Sequence, residues 1–351
     1  MKNKYCIIRM SHAGDIVHAI PFGRILKKLD PTSQITWIVE EKFKNLLKYE
    51  PSVTRIISFN KSNFDLTKIY KFIKFIRREK YTAVFDLQGL YKSGIISFLL
   101  RSGTRLGFSN MSKEHSEIFY NQVIELPEKK TDTLHVIKTY LKLLGKFFNQ
   151  PLDKLYLQLD EKTVSPAYGP SEDLQIENQF GSIIQKNPVN ILFIPFSGWQ
   201  NKSIPIKVCE EFIDRVALNK KFALWLYCFG EKETKMARLL RNSRNGIHVL
   251  NDLDFNLLTP FIKKMDLAIG CDTGIMHIAS QAGIDSIGIY GPTSPERNGP
   301  FLHLKNVITA NFECAPCWKR ICHDNKCLKN ITSEQIYNNM IKNLEASGKI
   351  K

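Results

Sequence analysis

The chain has 351 residues, of which 43% are hydrophobic and 24% charged, with a formal net charge of +16. That is the composition of a globular protein long enough for two domains, and no apolar run approaches the ~20 residues of a membrane-spanning helix. The positive excess reads either as lysines coating a solvated surface or as a sign of an anionic partner, a phosphorylated substrate or an anionic membrane face; no zinc-finger, RNP-like or arginine-rich signature argues for nucleic acid.

The opening MKNKYCIIRMSHAGD has four apolar residues, 5–8, before Arg9. They are too few for a signal-peptide core, so a cytoplasmic protein is expected. Hydrophobic periodicity predicts strands at 5–10, 35–40, 53–59 and 83–86. Helices are predicted between and after them at 15–29, 41–48, 66–80, 93–100 and 133–148, the first kinked or restarted at Pro21. The stretch 151–188 contains Pro166 and Pro170 and no long apolar period, and reads as a linker with a short lead-in. A second alternation follows, with strands at 191–195, 222–228, 248–250, 267–270 and 286–290. Its helices are expected at 206–218, 232–241, 256–265, from 275 onward, and at 333–344 behind a Thr332 or Ser333 cap.

Strands alternating with helices make parallel sheets covered on both faces. The expected fold is α/β, with two doubly wound, Rossmann-like domains facing a central cleft. The domains are residues 1–165 and 166–351, with helix 333–344 packing back on the first domain. Ligands of such sheets bind at the carboxyl ends of the strands. One such end carries Cys271-Asp272-Thr273-Gly274 at the start of a helix. The free N–H groups and helix dipole there can hold a phosphate; equally, Asp272 or Thr273 can be a plain N-cap. The corresponding turn of the first half is Met10-Ser11-His12-Ala13-Gly14-Asp15.

Cys6, Cys209, Cys228 and Cys271 stand in apolar contexts and read as small buried hydrophobes. Cys314, Cys317, Cys322 and Cys327 form a cluster enclosing His323. They are expected to fix a loop beyond the ligand-binding turns, without a catalytic role, either as reduced packed thiols or around a structural zinc.

Several segments together resemble glycosyltransferase family 9, the bacterial lipopolysaccharide heptosyltransferases. They are SHAGDIVHAIP at 11–21, WIVEE at 37–41, YTAVFDLQGLYKS at 81–93, RLGF at 105–108, DTGIMH at 272–277 and YGPT at 290–293. WIVEE and DLQGLYKS are most similar to the heptosyltransferase I branch. The resemblance implies a GT-B fold and metal-independent, inverting transfer of heptose from ADP-heptose to the Kdo of Kdo2-lipid A. It also implies no cofactor and peripheral attachment to the anionic cytoplasmic face of the inner membrane. Transfer of a later core heptose, as in heptosyltransferase II, and a non-catalytic nucleotide- or lipid-binding protein are the alternatives. The family's Lys-aromatic-Pro segment departs here to Lys202-Ser203-Ile204-Pro205.

By resemblance Asp15 is the general base, although an Asp there also makes a good N-cap. His18 and His12 are its neighbours. Lys202 is the cation for the ADP phosphates. Ser197, Gly198, Asp272, Thr273, Gly274 and His277 complete the donor site, and Glu231, with Glu233 as competitor, takes the ribose. Asp272 is expected to bond sugar hydroxyls or fix its turn rather than face phosphate, since like charges repel. Lys61, Lys68 and Arg105 are the candidates for acceptor carboxylate or lipid phosphate.

Overall fold

The computed structural model describes residues 2–60, 66–109, 114–127, 134–186, 189–242, 244–310 and 312–350. The chain divides into two compact units, Met1–Ala167 and Tyr168–Lys351. The first contains β1 (Lys4–Ile8), β2 (Gln34–Glu40), β3 (Arg55–Phe59), β4 (Lys80–Tyr81), β5 (Ala83–Asp86), β6 (Arg101–Ser102), β7 (Arg105–Ser109) and β8 (Gln122–Glu125). The short β4 and β6 pair with each other. The other six form a parallel sheet in the order β3-β2-β1-β5-β7-β8. The second unit contains β9 (Val189–Ile194), β10 (Phe222–Cys228), β11 (Ile247–Asn251), β12 (Leu267–Cys271), β13 (Asp285–Tyr290) and β14 (Val307–Thr309). They too form a parallel sheet, in the order β11-β10-β9-β12-β13-β14.

Strands of a purely parallel sheet are buried on both faces, which is why VNILFI of β9 and FALWLYC of β10 are apolar almost throughout and buried at every position. In each sheet the chain order reverses beside the first strand, between β1 and β5 and between β9 and β12. Loops leaving these neighbours turn to opposite faces, and a crevice opens at their carboxyl ends.

Several local expectations are corrected. The first helix, Ala13–Leu29, runs unbroken through Pro21. Glu41–Leu47 is a 3-10 helix. The supposed linker is mostly helical, at Leu152–Tyr156, Glu161–Val164 and Pro170–Lys186. Pro170 starts the last of these in the first-turn position a proline tolerates, with Glu172 and Asp173 favourable to the dipole. It buries few residues, among them Ile176, so no strong apolar period marks it. The short β7, β8 and β14 also went unpredicted. In β7, Gly107 lies flat under Tyr120, where an added Cβ would come within 2.1 Å of the ring. The final helix, Ser333–Ala346, begins in a Thr332–Gln335 capping box. Its Ile336, Met340 and Leu344 fill the core of the second unit.

Candidate active site

The first crevice is built from the loops after β1 and β5. His12, extended and without a side-chain cap bond, is the N-cap of helix Ala13–Leu29, so Asp15 is not its cap. Asp15 Oδ2 instead lies 2.5 Å from Arg9 Nη2, and His12 Nδ1 is 3.7 Å away. Arg9 Nη1 donates to the Leu87 carbonyl at 2.8 Å, and its guanidinium lies 5.8 Å from the centre of the Tyr140 ring. Burial pushes the Asp15 pKa up, but Arg9, His12 and His18 together outweigh it and hold the carboxyl well below the usual carboxylate range. The Asp15 side chain is 38% exposed and that of Arg9 only 7%, so a ligand can reach the carboxylate but not its counter-ion. His18 is buried edge-to-face against His135.

DLQG, to which the sequence assigned no individual role, clamps this turn. Gln88 Oε1 accepts the N–H groups of Met10 and Ser11 at 2.9 and 3.2 Å. Asp86 in turn accepts from the Gln88 and Gly89 amides at 2.8 and 3.1 Å and from the Tyr120 hydroxyl at 2.7 Å. Burial raises the Asp86 pKa against the pull of these bonds. The available signal was an Asp and a Gln directly behind the buried run Ala83-Val84-Phe85. Arg9, Asp86 and Gln88 are the residues that sequence reasoning missed.

The second crevice is built from the loops after β9 and β12. Lys202 Nζ donates to Asp272 Oδ2 at 2.7 Å, with the two side chains 14% and 3% exposed. His277 Nε2 stands 3.1 Å from the other carboxylate oxygen. Burial opposes ionisation of Asp272, but the His277 bond and the Lys202 charge hold its pKa well below the ordinary range. Thr273 is the N-cap of helix Gly274–Gln281, its hydroxyl accepting the Met276 N–H at 3.4 Å. The cap and the lysine anchor are therefore two different residues of one turn. The aromatic missing after Lys202 is supplied from upstream, because Lys202 Nζ lies 4.4 Å from the centre of the Trp199 ring. Ser197 is pinned through its N–H to Ser203 Oγ at 2.9 Å, and its own hydroxyl accepts from the Trp199 amide. A Cβ on Gly198 would meet nothing within 4 Å, so packing does not demand glycine there.

Glu231 lines a cavity of about 680 Å3 with Asn251, Asp252, Lys235 and Arg238, along the ends of β10 and β11. Its competitor Glu233 accepts the Phe229 N–H at 2.9 Å at the start of helix Gly230–Arg241. Lys61 lies outside the described residues, and Lys68 is exposed on helix Leu66–Ile76. The third acceptor candidate, Arg105, stands apart from the Asp15 turn. Arg105 opens β7 at the amino end of the sheet, opposite the Asp15 turn. Its guanidinium donates to the carbonyls of Phe119 and Ser102 at 3.1 and 3.0 Å, which stitches two loops together.

All eight cysteines are free, and Cys6, Cys209, Cys228 and Cys271 are buried as expected. The clustered four are not remote from the second crevice. Asn201 Nδ2 donates to the Lys319 carbonyl, and the Arg320 guanidinium lies 5.0 Å from the Trp199 ring centre.

Two parallel sheets of the same doubly wound order, each carrying a carboxylate–cation pair at its switch point, define the class: the GT-B fold of nucleotide-sugar transferases. The chain matches E. coli heptosyltransferase WaaC with ADP at a TM-score of 0.72 and 19% identity, covering 97% of this chain and 99% of that one. E. coli ADP-heptose lps heptosyltransferase II aligns at a TM-score of 0.76 and 18% identity, over 99% and 100% of the two chains. Lipopolysaccharide heptosyltransferase 1 of Campylobacter coli is 28% identical over 343 residues, 95% of this chain and 96% of that protein. The model of glycosyltransferase family 9 (heptosyltransferase) matches residues 69–328, and the chain belongs to that family.

Proposed function

We propose that the protein transfers heptose from ADP-heptose to the Kdo of Kdo2-lipid A, with inversion and without a catalytic metal. The observation that carries this reading is the buried Lys202–Asp272–His277 chain at the second switch point. Lys202 Nζ donates to Asp272 Oδ2 and, at 3.5 Å, to the Asp272 carbonyl, which leaves an N–H for a diphosphate, and the Trp199 face fixes the lysine against drift. Negative charge grows on the departing ADP, so a preorganised cation there stabilises the transition state more than the ground state. The Gly274 amide at the helix start and the Ser197-Gly198 loop add neutral donors to the phosphates, and Glu231 takes the ribose hydroxyls.

Asp15 is the base. Its pairing with Arg9 makes it a weak one, so it takes the acceptor proton late, once attack on the anomeric carbon has made the hydroxyl strongly acidic. Membrane attachment is supported by the helix Tyr91–Leu99, which starts at the same sheet end as Asp15. Its Tyr91, Ile95 and Phe98 are exposed on one face, with Ile118 on the turn packed beside them. Lys92 and Arg101 are exposed beside this face, a combination suited to an anionic bilayer surface holding the lipid-anchored acceptor. Relatives named lipopolysaccharide heptosyltransferase 1, one of them 28% identical over 95% of this chain, support the heptosyltransferase I branch.

Purified protein incubated with ADP-heptose and Kdo2-lipid A should yield a product heavier by one heptose, read by mass spectrometry, together with free ADP. Turnover only on an acceptor already bearing heptose would replace this assignment with a later core transfer. ADP binding without turnover on either acceptor would leave a binding protein.

A further inference from the structure

We propose that Cys314, Cys317, Cys322 and Cys327 form a tetrathiolate site for a thiophilic divalent cation, zinc above all, which fixes the 312–327 segment beside the donor-side loop. This does not depend on which sugar or acceptor the enzyme uses.

All four cysteines line one cavity of about 190 Å3, which also touches Asn201 and Pro292. Thiols selected for packing are buried, yet Cys314 and Cys322 are exposed and Cys317 is half-buried. Only Cys327 is anchored, on the short helix Lys326–Lys329 against the core of the second unit. Between residues 312 and 325 the chain forms no helix or strand, so regular hydrogen bonding does not hold it. It nevertheless adopts two costly left-handed turns at non-glycine residues, Trp318 (φ 58°) and Asn325 (φ 43°). Trp318 directly follows Cys317, and the Asn325 N–H donates to Cys322 Sγ at 3.3 Å. A backbone amide aimed at sulfur is the partner a metal-bound thiolate uses.

Among the described residues no group of three or more His, Cys, Asp or Glu side chains stands in metal-holding geometry. The site closes when the exposed Cys314 and Cys322 side chains turn into the cavity they border, toward the fixed Cys327. A tetrahedral S4 set with Zn–S near ~2.3 Å is then complete, with two thiolates from Cys-x2-Cys and two from Cys-x4-Cys. Closure carries a structural consequence. The same segment holds Asn201 through the Lys319 carbonyl and sets Arg320 over Trp199, the ring on which Lys202 rests.

The test uses the full chain, reduced and stripped of metal, titrated with Co2+ and then Zn2+. The expected result is uptake of about one Co2+ per chain with the visible bands of tetrahedral cobalt thiolate, displaced by Zn2+, and a higher melting temperature with Zn2+ than without. Cys314→Ser and Cys322→Ser change exposed residues and should fold, yet lose at least ~10-fold in metal affinity together with the thermal response. His323→Ala should keep both. Failure of the reduced wild type to take up either ion, or unchanged uptake in folded Cys314→Ser, overturns the proposal.

Discussion

Arg9 sets the working range of the proposed base, and replacing it tests that assignment. The Arg9–Asp15 contact is 2.5 Å. At an effective dielectric of about 20, opposite charges ~4 Å apart attract by ~4 kcal/mol. Asp15 keeps 38% of its side-chain exposure, and solvent screening removes half or more of that attraction. At ~1.4 kcal/mol per pKa unit, the ~2 kcal/mol or less that remains is worth up to ~1.5 units, so loss of the guanidinium should bring the Asp15 pKa up toward the ordinary carboxylate range, with burial then pushing the same way. In the wild type, any acid limb of kcat/KM from Asp15 should therefore lie well below the ordinary carboxylate range. Arg9→Met should move that limb to higher, mildly acidic pH, because the base becomes protonated as the pH falls through its raised pKa. Arg9→Met/Asp15→Asn should lack that limb. The substitution also removes the donor to Leu87 O, so near-UV circular dichroism must first show an intact fold. A folded Arg9→Met enzyme with the wild-type pH profile would refute Asp15 as the titrating base.

Asp15→Asn should keep the fold and reduce turnover at saturating substrate by ~100-fold or more; near-normal turnover would assign the base elsewhere. Lys202→Ala should weaken ADP binding and also slow single turnovers, while EDTA leaves the wild type active; a strict need for added Mg2+ or Mn2+ would end the metal-free reading. Arg105→Ala should lower the melting temperature, since two carbonyls lose their donor, and leave the acceptor KM unchanged. The folded-state pKa of Asp272 is depressed, so its contribution to stability is present above the unfolded value and is lost as the pH falls through the folded one. Urea midpoints measured between about pH 5 and pH 2 should fall less steeply for Asp272→Asn than for the wild type. At neutral pH that variant should be less stable by about 3 kcal/mol, because Lys202 is left buried without its partner.

The amino-acid sequence by itself determined the architecture where burial writes a strong period. The fully buried 83–86 and 222–228 runs and the amphipathic helix at 206–217 could form nothing else, and their alternation imposes parallel sheets. It also determined the two turns that carry Asp15 and Asp272, because Gly, Asp and Thr directly behind an apolar strand mark a strand-to-helix turn. It was silent where the period is weak, as in the mostly exposed helix Pro170–Lys186 and the short β7, β8 and β14. The partners of the charged residues belong to the tertiary structure alone. Lys202 and Asp272 are 70 residues apart and Arg9 and Leu87 are 78 apart; they meet because β9 lies beside β12 and β1 beside β5. The same strand direction separates Arg105 from the Asp15 turn, since a residue that opens a parallel strand and one that follows its neighbour stand at opposite ends of the sheet. Periodicity along a chain reports which face a side chain takes; which charge it meets depends on strand order, which no local pattern encodes.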